Sequence, residues 1–149
     1  MTRPLIRRAL PRDAALLTDL AARSEAHWGC DSAFMKMFRE SYRITEAFIA
    51  RNPAFVAEKD GAPVGFYALE GTSLEYFYLE PAWIGKGLGR ILWNHLAEQC
   101  RQQQLRAIQM VCSPEPKAFY LKMGAEEIGE ADSRVTPGRK VSKLAYRLG

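Results

Sequence analysis

The sequence predicts an α/β fold in which a mixed, mostly antiparallel central sheet is flanked by helices. Short β-type runs joined by tight turns predict antiparallel neighbours, and strand–helix–strand units predict parallel ones. The chain has 149 residues, 48% hydrophobic and 26% charged, which suits one compact core. We therefore expect a single domain over residues 1–149, with the element order β-α-α-β-β-β-α-β-α-β-β.

The first third of the chain predicts one strand and two helical stretches. Arg3–Ala9 has the pattern of a short strand, and Pro11 and Asp13 then supply a stop and a helix cap. Asp31 predicts the cap of a second stretch, whose apolar residues recur at helical spacing. Asn52-Pro53 ends this stretch, because the residue before a proline is pushed out of the helical region. Whether the stretch is continuous stays open.

The next segment predicts a three-stranded meander. Ala54–Glu58 and Pro63–Glu70 are β-type runs. The intervening Lys59-Asp60-Gly61-Ala62 is a hairpin signal, because Asp-Gly accepts positive φ at little cost. Ser73–Leu79 supplies the third strand, and Pro81 ends it.

A helix, a buried strand and a shorter helix follow. The helix begins at Leu88 and ends in the polar residues 101–104. Ala107–Cys112 is a continuous apolar-rich strand. Ser113 then predicts the cap of a helix that runs through Met123.

Two strands complete the predicted sheet. They are Glu126–Asp132 and Ser142–Leu148, on either side of a Pro137-Gly138-Arg139 turn. Sheet-edge strands in this region are compatible with a homodimer.

The charge and cysteine content narrow the classes of partner. The net charge is +4, and the excess lies entirely in residues 76–149, where the cations are scattered. This distribution gives weak support to nucleic-acid binding and favours a compact anionic ligand. No apolar run is long enough to cross a membrane, so we expect a cytoplasmic protein. The three cysteines, without a C-x-x-C pair, predict neither a disulfide framework nor a metal site.

A glycine-rich loop joins the third strand of the meander to the following helix. It reads Ile84-Gly85-Lys86-Gly87-Leu88-Gly89-Arg90. Glycines at a helix start let backbone N–H groups turn toward an anion, so the loop is a candidate anion site. Arg90 stands where a dinucleotide fingerprint needs glycine, and Gly87 stands where a P-loop needs Ser or Thr. A tight turn that serves packing alone is the alternative.

This loop resembles the GNAT acetyltransferase superfamily signature, Q/R-x-x-G-x-G/A, with Gly87 and Gly89 in the glycine positions and Ile84 in the Gln/Arg position. Residues 113–125 are similar to the family's second motif through Phe119-Tyr120 and Gly124. The resemblance implies the acyl-CoA N-acyltransferase fold, with acetyl-CoA as co-substrate and no metal. The implied cofactor contacts are Leu79, Gly85, Lys86, Gly87, Leu88, Gly89, Arg90, Phe119 and Lys122.

The resemblance also implies two catalytic roles. Tyr120 becomes the proton donor to the departing thiolate, a role that suits a phenol protonated at neutral pH. A bulge near the end of the strand that finishes at Leu79 frees its main-chain N–H to face the thioester oxygen.

The remaining site residues have less specific signals. Glu75 is the candidate base for the acceptor amine, because strict alternation places it on one face with Phe77 and Leu79; an exposed carboxylate or an ion pair is the alternative. His27 and Trp28 are candidates for the acceptor wall, where this superfamily generally builds it, and a core tryptophan beside a structural histidine is the alternative.

The predicted function is N-acetyltransfer from acetyl-CoA to a primary amine of a small molecule or peptide, by direct attack in a ternary complex. A catalytically silent acyl-CoA-binding or sensing module on the same fold is the alternative.

Three further residues were considered for the site. Cys112 is not expected to be a nucleophile, because no His and Asp residues accompany it as activating partners, and His95 is expected to be structural. Arg139 either binds an acidic acceptor or orients the last turn. The sequence does not identify the acceptor.

Overall fold

The computed structural model describes residues 4–148, which form one seven-stranded sheet and five α-helices. The strands are Leu5–Arg8 (β1), Ala54–Lys59 (β2), Ala62–Glu70 (β3), Ser73–Leu79 (β4), Ala107–Cys112 (β5), Glu126–Asp132 (β6) and Lys140–Arg147 (β7). The helices are Ala14–Ala26 (α1), Ser32–Ser41 (α2), Glu46–Arg51 (α3), Leu88–Gln102 (α4) and Pro114–Lys122 (α5). Short 3-10 turns precede α1 and α4.

The strand order is β1-β2-β3-β4-β5-β7-β6, and β4 with β5 is the parallel pair within the described chain. The predicted mixed, mostly antiparallel sheet is therefore confirmed. The two last strands do not follow chain order in the sheet: β7 lies between β5 and β6 and pairs antiparallel with both.

The local signals of the meander are confirmed. Asp60 (φ 53°) and Gly61 (φ 79°) both have positive φ in the turn between β2 and β3, as a tight hairpin requires.

The helical stretch predicted after Asp31 is not continuous but is divided into α2 and α3. Asp31 accepts a hydrogen bond from Phe34 N–H at 2.7 Å, and Thr45 caps α3 by accepting from Phe48 N–H at 3.0 Å.

Two expected caps lie at helix starts but do not act as side-chain caps. Asp13 precedes α1, and its carboxylate accepts instead from the Arg7 guanidinium at 2.9 Å and from Leu10 N–H at 2.7 Å. Ser113 precedes α5 without a side-chain cap bond. Arg3, the expected first residue of β1, lies outside the described residues, and the strand itself spans Leu5–Arg8.

The sheet carries a core on each face. Helices α4 and α5 pack against one face through an apolar cluster that includes Leu92, Leu96 and Ile108. Helices α1, α2 and α3 cover the other face through a cluster that includes Leu17, Phe38 and Ile49. No helix within residues 4–148 combines the length and the apolar character that crossing a bilayer requires.

We expect Leu96→Ala to lower the free energy of unfolding by about 2–5 kcal/mol, because it removes a fully buried side chain and leaves a cavity. Urea denaturation measures the change. Leu121→Ala is the control, since Leu121 is 43% exposed and its truncation should cost about 0.5 kcal/mol or less. Equal losses in the two variants would contradict the assigned core.

Candidate active site

A cleft opens where β4 and β5 separate. The two strands are paired at Ser73 and Gln109, and the rest of β4 has no partner on this side within the described residues. The resulting cavity has a volume of about 420 Å³. Its walls come from β4, the C-terminal part of α1, α2, the turn before α4, α5 and the segment 133–141.

The glycine turn forms the wall at the start of α4. Gly85 (φ 79°) and Gly87 (φ 88°) both have positive φ and line the cleft. Gly87 is the N-cap of α4 and offers no side chain, and the first turn of this helix has no acidic residue. The first N–H groups of a 15-residue helix are therefore available to an anion, and the helix dipole adds to the attraction.

Gly89 is required by packing. A Cβ at this position would lie 3.0 Å from Cε1 and 3.2 Å from Cζ of Phe119, so the Phe119 ring packs directly on the first turn of α4. The packing role that was the alternative for this loop is thus found at Gly89, whereas Gly87 leaves the helix start uncapped.

The structure brings most of the predicted cofactor contacts to this cleft. The lining includes Leu79, Gly85, Gly87, Gly89, Arg90, Phe119 and Lys122. Two predicted contacts are not in the lining: the Lys86 side chain is exposed outside it, and the Leu88 side chain is 1% exposed in the core. Leu88 can therefore contribute through its backbone only.

The main-chain N–H of Leu79 faces the cleft. Leu79 is opposite Gly65 in the β3–β4 ladder, and the next residue, Glu80, donates its N–H to Val64 O at 2.9 Å. Because hydrogen-bonded and non-hydrogen-bonded pairs alternate in an antiparallel ladder, the Leu79 N–H points away from β3. The Arg23 guanidinium holds the Glu80 carboxylate with two bonds of 2.8 Å, which ties α1 to the end of β4.

The bulge in β4 lies at Glu75, so its expected position near Leu79 was wrong. Tyr76 is opposite Ala68 and Leu74 is opposite Leu69, which leaves Glu75 without a counterpart. A bulge interrupts the alternation of side chains along a strand.

The expectation that Glu75 shares a face with Phe77 and Leu79 was wrong for the same reason. Its carboxylate accepts from Arg134 Nη2 at 3.0 and 2.9 Å, and the Arg134 guanidinium lies 5.6 Å from the centre of the Tyr42 ring. Tyr42 packs with the α1–α3 core, whereas Phe77 and Leu79 pack with the α4–α5 core. Glu75 thus forms the ion pair that was the alternative.

Tyr120, within α5, also lines the cleft. It is 7% exposed, and its ring contacts those of Trp93 (5.9 Å between centres) and Phe77 (6.0 Å). Within residues 4–148 its hydroxyl has no hydrogen-bond partner. Burial raises the pKa of the phenol above its ordinary value of 10, so the hydroxyl stays protonated at neutral pH.

Glu25 is a cleft residue that the sequence analysis missed. It lies in the last turn of α1, is half-buried, and has no side-chain partner among the described residues. Burial, with a contribution from the charge of Glu115, raises its pKa to about 7, against a smaller opposing effect of Arg139. The sequence feature that indicates this position is the spacing of residues along α1. Leu17, Ala21 and Glu25 follow one another at intervals of four residues, which places the Glu25 carboxylate on the buried stripe of the helix.

The structure separates the two acceptor-wall candidates. Trp28 lines the cleft and is 41% exposed, so the interpretation as a core tryptophan is wrong. His27 meets Trp28 edge-on, with 5.0 Å between ring centres, but is not part of the lining. Arg139 also lies in the lining.

Neither Cys112 nor His95 has the surroundings of a catalytic nucleophile or base. Burial raises the pKa of the Cys112 thiol to about 11, so it stays a thiol at neutral pH. His95 Nδ1 lies 2.7 Å from the Tyr67 hydroxyl, in a structural pair. Among residues 4–148, no group of three or more His, Cys, Asp or Glu side chains is placed to hold a metal ion.

Comparisons with known proteins agree with this geometry. A family model of the acetyltransferase (GNAT) domain matches residues 50–124, half of the chain, which include β4, the glycine turn and α5. No curated protein sequence matches the chain.

Several solved structures share the fold. A GCN5-related N-acetyltransferase from Rhodopseudomonas palustris has a TM-score of 0.82 at 20% identity, covering 99% of this chain and 97% of its own. PaiA N-acetyltransferase from Thermoplasma acidophilum, solved with coenzyme A, has a TM-score of 0.80 at 16% identity, covering 99% of both chains. YncA from Salmonella typhimurium, solved with acetyl-CoA, has a TM-score of 0.67 at 20% identity, covering 99% of this chain and 95% of its own.

Above pH 7, we expect Glu25→Gln to raise the free energy of unfolding by about 1–3 kcal/mol relative to the wild type. The folded protein retains a proton on Glu25 that the unfolded chain releases near its ordinary pKa of 4.5, so this residue lowers the stability as pH rises from about 4.5 to 7. Urea denaturation between pH 5 and 8 measures the effect. Glu40→Gln, at an exposed position on α2, is the control. A stability difference between wild type and Glu25→Gln that does not change with pH would contradict the raised pKa.

Proposed function

The chain belongs to the GNAT acetyltransferase family, and on that premise we propose that it transfers the acetyl group of acetyl-CoA to a primary amine of a small molecule or peptide, by direct attack in a ternary complex. One observation carries the proposal. The cleft between β4 and β5 is lined both by the uncapped helix start at Gly87 and by Tyr120, whose hydroxyl has no hydrogen-bond partner among residues 4–148.

The residues at the glycine turn fit a diphosphate. The N–H groups at Gly87 and Gly89 would donate hydrogen bonds to the phosphate oxygens, and Arg90 and Lys122 in the lining would supply positive charge. Ile84, in the Gln/Arg position of the family signature, also lines the cleft and contributes no polar contact. The coenzyme A and acetyl-CoA complexes of PaiA and YncA, on the same fold, support this assignment. When bound, acetyl-CoA supplies an acetyl group activated as a thioester.

Two groups of the chain act on the reacting atoms. The Leu79 N–H donates to the carbonyl oxygen, where negative charge develops during attack. Tyr120 gives its proton to the sulfur that leaves. Burial raises the pKa of Tyr120, and the same surroundings would raise the pKa of a thiol formed beside it, so the two values shift in the same direction.

The alternative function is a silent acyl-CoA-binding module. Such a protein would keep the glycine turn and bind coenzyme A, but it would release no thiol with any amine. Calorimetric titration with coenzyme A, followed by a thiol-release assay with acetyl-CoA and a panel of amines, separates the two. Coenzyme A binding without thiol release across the panel would overturn acetyl transfer and favour the binding module.

We expect Tyr120→Phe to lower kcat by about 10- to 1,000-fold while changing coenzyme A affinity by less than about 3-fold, because only the proton donor is removed. Thiol-release kinetics and calorimetry measure the two quantities. Tyr146→Phe is the matched control, because Tyr146 contacts the same Trp93 ring at 4.9 Å but does not line the cleft. Unchanged turnover in Tyr120→Phe would remove this residue from the mechanism.

We expect Gly87→Asp to weaken coenzyme A binding at least about 10-fold more than Gly87→Asn does. Both side chains tolerate the positive φ at this position, which is 88°, and both can cap the first turn of α4. Only aspartate places a negative charge where the diphosphate is proposed to bind. Calorimetry compares the two variants, and equal affinities would place the diphosphate elsewhere.

A further inference from the structure

Three carboxylates line the cleft, and two of them have no partner among residues 4–148. Glu75 is held by Arg134, whereas Glu25 and Glu115 form neither a hydrogen bond nor an ion pair. Glu25 is the more buried of the two. A half-buried carboxylate without a partner is unfavourable once ionised, and an incoming ammonium group would remove that cost.

The wall around Glu25 is aromatic. Trp28, Phe34, Phe38, Tyr42 and Tyr78 all line this end of the cleft. Phe38 stacks on Tyr42 with 5.0 Å between ring centres and meets Tyr78 edge-on at 6.0 Å, while Trp28 is 41% exposed.

This wall can accept both an apolar body and a cation. The Arg134 guanidinium already lies over the Tyr42 ring. Aromatic faces attract ammonium groups, and the apolar ring surface attracts the body that carries them.

We propose that the acceptor is a small arylalkyl amine whose ammonium group binds at Glu25 while its ring lies against Trp28 and Phe34. The inference rests on the acetyl transfer proposed above and names its substrate class. Glu25 is then a catalytic residue that receives a proton from the ammonium.

The proposed acetyl transfer involves the following proton transfers and bond changes. The ammonium gives one proton to Glu25, the neutral nitrogen forms a bond to the acetyl carbon, and the nitrogen loses a second proton to solvent. The carbon–sulfur bond breaks with its electron pair on sulfur, which takes a proton from Tyr120; Tyr120 recovers one from solvent, and Glu25 releases its proton there. The net products are the amide, the free thiol and one proton.

The pKa of Glu25 suits this role, because a carboxyl that titrates near pH 7 is partly ionised there and still basic. The titratable or charged side chains that interact with it are Cys30 after α1, Tyr42 after α2, Tyr78 on β4, Glu115 and Tyr120 on α5, and Arg139 before β7.

The test compares thiol release from acetyl-CoA with 2-phenylethylamine, ethylamine and spermidine. We expect kcat/KM for 2-phenylethylamine to exceed the other two by about 10-fold or more. Trp28→Ala should remove most of this preference by raising KM for 2-phenylethylamine alone. Thiol release that is fastest with ethylamine or spermidine would overturn the substrate class and leave acetyl transfer intact, whereas coenzyme A binding without thiol release from any amine would overturn both.

Glu25→Gln tests the proton acceptor. We expect kcat/KM at pH 7 to fall by about 100- to 10,000-fold, and the loss to shrink toward pH 10, where the amine is increasingly neutral without a base. The wild-type kcat/KM should rise through about pH 7 as Glu25 ionises, and this rise should be absent in Glu25→Gln. Glu40→Gln is the control. Retention of the wild-type pH profile by Glu25→Gln would overturn the role of Glu25.

Discussion

Strand β4 pairs with β3 from Ser73 to Leu79 except at the Glu75 bulge, but on its other side its register with β5 is confined to Ser73 and Gln109. This one-sided pairing creates the cleft, and it also leaves main-chain N–H groups of β4 without a sheet partner there. Buried backbone donors need acceptors, so the separated strands are suited to a ligand that brings oxygen atoms. The site therefore arises from the sheet itself, and the side chains refine it.

Two helices complete the cleft from the α4–α5 side, and their contact depends on one missing side chain. Phe119 of α5 packs on the first turn of α4 because Gly89 has no Cβ. The same turn begins at Gly87 without a cap. The two glycines thus have different roles within one short segment. Gly89 allows α4 and α5 to pack closely, and Gly87 leaves the start of α4 without a side-chain cap.

Features set by neighbouring residues could be predicted from the sequence. The Asp60-Gly61 turn, the Asp31 cap and the bounds of β4 and β5 follow from local conformational preferences, and the glycine turn and Tyr120 follow from motifs of fixed spacing. Features set by tertiary contacts could not be predicted in this way. The bulge that turns Glu75 toward Arg134 depends on the register of β3, and the insertion of β7 between β5 and β6 depends on the whole sheet. The spacing of Glu25 places it on the buried stripe of α1, but its position in the cleft depends on which element that stripe faces.

The ion pair between Arg23 and Glu80 connects the two halves of the candidate site. Arg23 and Glu25 belong to the same last turn of α1, and Glu80 directly follows Leu79. An exposed pair of this kind adds little to global stability. Its effect is geometric: two hydrogen bonds of 2.8 Å tie the turn of α1 that carries Glu25 to the end of β4 that carries the Leu79 amide, and they restrain how far these two elements can move apart.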